Sequence, residues 1–144
     1  MEQHEVTLTS KIEGFRQTIQ AGPHTLIADE PESLGGTGQG PNPYELLCSA
    51  LAACTSITIE MYATRKGWPL EGVEVRVHHA KVHAEDCADC EGKDGLIDRM
   101  ERHIVLKGPL DEEQRERLAV IASKCPVHKT IRAGATVVDE VVLG

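Results

Sequence analysis

Gly40-Pro41-Asn42-Pro43-Tyr44-Glu45-Leu46-Leu47-Cys48-Ser49-Ala50-Leu51-Ala52-Ala53-Cys54-Thr55-Ser56-Ile57 is the stretch whose reading decides the fold. Asn42-Pro43 predicts a helix start, because Asn can accept from the unpaired N–H groups of a first turn and Pro has no N–H to leave unpaired there. Glu45 falls where the helix dipole favours an acid. From Leu46 onward the residues are apolar or small on every side, which predicts a helix buried in the interior. Arg65-Lys66 suit its C-terminus, and Gly67 is its stop signal. A helix of this kind needs a partner for each face, more than one small domain readily supplies, and this points to dimerisation.

Upstream, Glu5 to Ile12 and Phe15 to Ala28 alternate loosely between apolar and polar, and Gly22-Pro23 divides the second segment into two strands and a turn. Asp29 to Pro43, with Gly35, Gly36, Gly38, Gly40 and three prolines, reads as a long loop. Downstream, Val73, Val75 and Val77 alternate with Glu74, Arg76 and His78 in a half-buried strand, Gly72 to His83. A polar turn from Glu85 to Gly95 joins it to a second strand, Leu96 to Lys107, as a hairpin. Asp111 to Lys124 is an amphipathic helix with Asp111 as cap and Leu118, Ile121 and Ala122 as its apolar stripe. Pro126 ends it and favours a new turn. Val137 to Leu143 reads as a final strand. The order predicts an α+β fold in a single domain, residues 1–144.

Hydrophobic residues make up 40% of the 144 residues and aromatic residues 3%, so the core is built from Val, Ile, Leu and Ala. The net charge of -8 argues against a partner carrying a phosphate backbone and against an anionic membrane surface. No apolar run approaches the ~20 residues of a membrane span. Met1 to Ser10 carries Glu2 and Glu5 and does not resemble a secretory signal, so the expected compartment is the cytoplasm. There, cysteines that pair are more often catalytic or redox-sensing than structural.

Of the five cysteines, Cys48 reads as packing. Cys54 lies mid-helix among apolar neighbours, as a small buried hydrophobe does, and away from the dipole that lowers a thiol pKa. Cys125 lies between a helix end and Pro126, where free N–H groups can stabilise a thiolate, and Lys124, His128 and Lys129 add positive charge. Cys87-Ala88-Asp89-Cys90 is half a zinc site, which His83, His79 or His103 would complete. It is equally a redox pair, or a polar hairpin tip with incidental thiols.

Gly40-Pro41-Asn42-Pro43-Tyr44-Glu45-Leu46-Leu47, then Ala53-Cys54-Thr55, and Cys125-Pro126-Val127-His128 about seventy residues later, resemble the OsmC/Ohr family of peroxide-reducing proteins, and its OsmC-like branch most. The resemblance implies an intertwined homodimer with two long central helices. It also implies a two-cysteine hydroperoxide reductase of oxidative or osmotic stress defence, without a cofactor. Cys54 would attack an organic peroxide, or hydrogen peroxide, and become a sulfenic acid. Cys125 would condense with it, and an external dithiol, lipoyl-type or thioredoxin-like, would reduce the disulfide. The family pairs its attacking cysteine with an arginine and a glutamate. Here Tyr44 stands at the glutamate position, Glu45 follows one residue later, and residues 29–41 hold no arginine, which leaves Arg16 as the candidate. The competing readings on the same fold are a non-catalytic thiol redox sensor or small-ligand-binding protein, and a zinc protein using Cys87, Cys90 and His83.

Overall fold

The computed structural model describes residues 2–87 and 95–144. The chain divides into two compact units, Met1–Ser49 and Ala50–Gly144.

The N-terminal unit holds three antiparallel strands in chain order: β1 (Thr7–Thr9), β2 (Gln17–Ala21) and β3 (His24–Ala28). Leu8 pairs with Ile19 and Ile19 with Leu26, so the apolar positions meet across the sheet. The β2–β3 turn is tight because Gly22 takes a left-handed φ of 59°. The loop that follows is organised by buried Asp29. Its carboxylate accepts from the N–H groups of Glu30, Thr37 and Gln39 and from the Thr37 hydroxyl. Those donors hold the carboxyl down at about 2: the Thr37 hydroxyl contributes most, burial opposes it, and the three N–H groups add to it. Gly36 is required there, since an added Cβ would lie 1.9 Å from the Glu30 carbonyl oxygen.

Helix α1 (Pro43–Lys66) starts as expected, and its cap is reciprocal. Glu45 N–H donates to Asn42 Oδ1 at 2.8 Å, and the Glu45 carboxylate accepts from Asn42 N–H at 3.1 Å. It ends at Gly67, φ 68°, with Trp68 N–H donating to the Ala63 carbonyl. Burial all round is not what the chain shows. Leu51, Thr55, Ile59 and Ala63 form one buried stripe, while Leu47, Ile57 and Met61 are exposed. Their spacing of four puts the stripe on a single face. The absence of any membrane-length apolar run also needs correcting, because α1 is long and apolar enough to cross a membrane by length and composition. What the helix buries within the C-terminal unit is a protein core.

That unit is built on a hairpin of β4 (Gly72–His83) and β5 (Leu96–Lys107), paired from Gly72↔Lys107 to His83↔Leu96. Helix α2 (Glu112–Ala122) begins with Asp111 and Gln114 capping each other, and α3 (Pro126–Ala133) follows after a short break. Ile59 and Ala63 of α1 pack with Leu118 and Ala122 of α2, and Val73, Ile104, Leu106 and Trp68 close around them. Residues 134–144 form no strand, whereas the apolar run Val137 to Leu143 reads as one. Their valines and Leu143 are exposed, because an apolar run makes a strand only where an edge is offered for pairing.

Candidate functional site

Four elements of the C-terminal unit converge on one pair of thiols. Helix α1 carries Cys54 and Thr55. The α2–α3 junction carries Cys125, α3 carries His128, and Arg102 comes from β5. Cys125 is the N-cap of α3 with Pro126 behind it, and its sulfur accepts from His128 N–H at 3.4 Å. It is fully buried, while Cys54 is half-buried.

The two thiols interact directly, and the contact separates their acidities. Burial pushes the Cys54 thiol up, and the neighbouring Cys125 pushes it further; Val127 N–H and Thr58 oppose this. Burial acts on Cys125 in the same sense but is overcome. The interaction with Cys54, the His128 N–H, the Thr55 hydroxyl and the Val127 N–H carry this thiol below its ordinary range. The start of α3 is the physical difference between the two: Cys125 caps it and receives both the His128 and the Val127 N–H groups, whereas mid-helix Cys54 is reached by that of Val127 alone.

Arg102 was not legible as a site residue, though one signal was present. The alternation Arg102, Ile104, Leu106 puts a guanidinium on the inward face of β5. There Nη1 donates to Thr55 Oγ1 at 3.0 Å and to the Ala122 carbonyl at 3.3 Å, and Nη2 donates to His128 Nδ1 at 3.1 Å. One side chain thus ties α1, the end of α2 and α3 together. His128 does not supply the positive charge expected of it. Burial, then the charges of Arg102 and Arg132, push its pKa down and keep it neutral. Lys124 and Lys129 are exposed.

The other expected residues lie elsewhere. Arg16 sits just before β2 in the N-terminal unit. Glu45 belongs to the cap of α1, nine residues before Cys54, a spacing that puts the two on opposite sides of the helix. Cys87 is disulfide-bonded and buried, and its sulfur accepts from Arg99 Nη1 at 3.1 Å. Cys90 lies outside the described residues. His83 is exposed at the end of β4, His79 is paired with Asp98 at 2.9 Å, and His103 is exposed on β5. No group of three His, Cys, Asp or Glu side chains is placed to hold a metal ion among the described residues.

Residues 36–140 match the family model described as OsmC-like protein. A comparison with curated proteins finds none that matches. Among solved structures, a putative osmotic stress induced and detoxification response protein from Psychrobacter arcticus is 20% identical, with a TM-score of 0.70 over 90% of this chain and 89% of that one. An organic hydroperoxide resistance protein OsmC from Legionella pneumophila is 22% identical, with a TM-score of 0.64 over 92% and 90%. The organic hydroperoxide resistance protein OhrB of Bacillus subtilis is 22% identical, with a TM-score of 0.60 over 91% of each chain. At these identities the likeness is one of fold, and it agrees with the α+β architecture above.

Proposed function

Because this chain belongs to the family of OsmC-like proteins, we propose that it is a two-cysteine thiol peroxidase in peroxide stress defence. The observation that carries the reading is the direct interaction of Cys54 with Cys125, two thiols from distant parts of the chain. Cys54 sulfur attacks the O–O bond of a hydroperoxide, an alcohol leaves, and Cys54 becomes a sulfenic acid. Cys125 thiolate then attacks the sulfenic sulfur, the S–S bond forms and water is released. An external dithiol of lipoyl or thioredoxin type returns both thiols by exchange. Leu51 and Ile57 flank Cys54 on α1, and an apolar approach of this kind favours organic hydroperoxides over hydrogen peroxide. The working form is a homodimer, supported by the exposed apolar residues of α1 and of the C-terminal tail.

Turnover of cumene hydroperoxide with a dithiol tests this. Wild type is expected to consume peroxide with stoichiometric dithiol oxidation, and Cys54→Ser to lose that activity. Equal rates for the two proteins would refute the enzyme reading. One observation favours a second reading, a thiol redox sensor: the Glu45 carboxylate is occupied in capping α1. Under that reading a single equivalent of peroxide forms the Cys54–Cys125 disulfide, but dithiol-driven turnover is absent.

A further inference from the structure

We propose that Cys125 is not only the resolving thiol but the base that activates Cys54, and that Arg102 is the positioning residue that keeps it in that role. The proposal rests on the peroxidase reading and deepens it.

An attacking thiol needs a group to take its proton. At Cys54 the Val127 N–H from the start of α3 and Thr58 favour ionisation, but burial and the neighbouring Cys125 outweigh them. Within the C-terminal unit, the ionisable side chains behind the thiol pair are His128, whose N–H donates to the Cys125 sulfur, and Arg102, which holds the His128 ring. Arg102 is a permanent cation and accepts no proton. His128 is occupied at Nδ1 as the acceptor of Arg102 Nη2, which leaves its ring proton on Nε2 and removes the nitrogen that would act as base. The acceptor that remains in contact with Cys54 is the sulfur of Cys125.

The surroundings of Cys125 are built for a thiolate. His128 N–H donates to the sulfur, and Thr55, whose hydroxyl also reaches the Leu51 carbonyl at 2.6 Å, lies beside it. Arg102 holds both of those groups from behind, one through Thr55 Oγ1 and one through the His128 ring. The guanidinium therefore acts on Cys125 from two sides without occupying the sulfur itself.

The proton accounting closes. Cys125 thiolate takes the Cys54 proton as Cys54 sulfur attacks the terminal peroxide oxygen and the O–O bond breaks. The departing alkoxide takes the proton back from Cys125 and leaves as alcohol. Cys54 is then a sulfenic acid, oxidised by two electrons, and Cys125 is again a thiolate. It attacks the sulfenic sulfur, the S–S bond forms, and the hydroxide released is protonated to water by solvent. One sulfur serves as base, acid and nucleophile in turn. The sulfenic acid is consumed quickly because its resolver is ionised when it forms.

The test is rapid mixing of the full chain with cumene hydroperoxide, following oxidation of Cys54 by loss of its alkylation and by dimedone trapping. In Cys125→Ser the sulfenic acid accumulates, but it forms about a hundredfold more slowly at neutral pH, the scale of general base catalysis. Its rate climbs as pH rises into the range where Cys54 ionises unaided, whereas the wild-type rate is flat there. Arg102→Met slows the first step, and in a Cys54→Ser background it raises the pH at which Cys125 becomes alkylated. Arg102→Lys restores much of both. Cys54 oxidised at the wild-type rate in Cys125→Ser would overturn the proposal while leaving the peroxidase reading intact. A wild-type chain whose Cys54 resists the peroxide would overturn the peroxidase reading itself, and the proposal with it. An unchanged Cys125 alkylation profile in Arg102→Met would remove Arg102 from the scheme.

Discussion

Arg102 Nη2 donates to Nδ1 of His128 across 3.1 Å, and because a guanidinium only donates, the imidazole must be the acceptor with its proton on Nε2. The contact joins a strand residue to a helix residue behind Cys125, and it sets the charge state of the ring as well as its orientation.

That charge state has a consequence for acid stability. Burial first, then the charges of Arg102 and Arg132, place the folded pKa of His128 below its unfolded value. Between the two values the unfolded chain binds the extra proton, so stability rises with pH across that window. The contribution is complete above the ordinary histidine range and is lost as pH falls through the depressed folded value. Urea unfolding at pH 7 and pH 5 is expected to show the loss, and His128→Gln to reduce the difference. A pH dependence unchanged in His128→Gln would show that the titration lies elsewhere.

Asp29 gives a second acid-sensitive element. Its carboxyl is held at about 2 by the Thr37 hydroxyl and three backbone N–H groups. A depressed carboxyl stabilises the fold above the ordinary carboxylate range and loses that contribution as pH falls through the folded value. Asp29→Asn is expected to lower Tm at neutral pH and to flatten the acid limb between pH 5 and pH 2. A melting curve with an unaltered acid limb would contradict this.

The core admits a magnitude. Leu118 is fully buried between Ile59, Ala63 and Ala122. Leu118→Ala leaves a cavity among residues fixed by two helices and a hairpin, and is expected to cost about 2–5 kcal/mol by denaturant titration. A cost below about 1 kcal/mol would mean that the cluster collapses freely around the vacancy.

Much of this was legible in residue order, and the omissions share a cause. The cap at Asn42, the stop at Gly67, the hairpin of Val73 to Val77 and the break at Pro126 are local signals, and each marks an element end or face where expected. The partners Thr55, Arg102 and His128 are not local. Thr55 reads as a small helix residue, and Arg102 as one of several strand arginines until its inward parity is noticed. His128 reads as a charge because its sequence neighbours are lysines, whereas the strand behind it makes it neutral. The exposed apolar side of α1 belongs to the same class, since periodicity shows that a face is apolar but not what covers it.

The covering of that face supports the last expectation. Ile57 is 55% exposed and Met61 69%, on the helix that also carries Cys54. Val141 and Leu143 of the tail are 92% and 102% exposed. Burying such surface is worth about 25 cal/mol per Å², which makes a second copy of the chain the economical cover under the homodimer reading. Wild type is then expected to sediment at twice the 15.7 kDa chain mass. The double variant Ile57→Glu, Met61→Glu places two like charges at the contact, where they would be desolvated without partners. It is expected to sediment as single chains while Leu118 and Ile59 keep each chain folded, a state visible as retained far-UV ellipticity. Wild type sedimenting at the single-chain mass across the micromolar range would refute the homodimer. A double variant that stays dimeric would place the contact on another face of the chain.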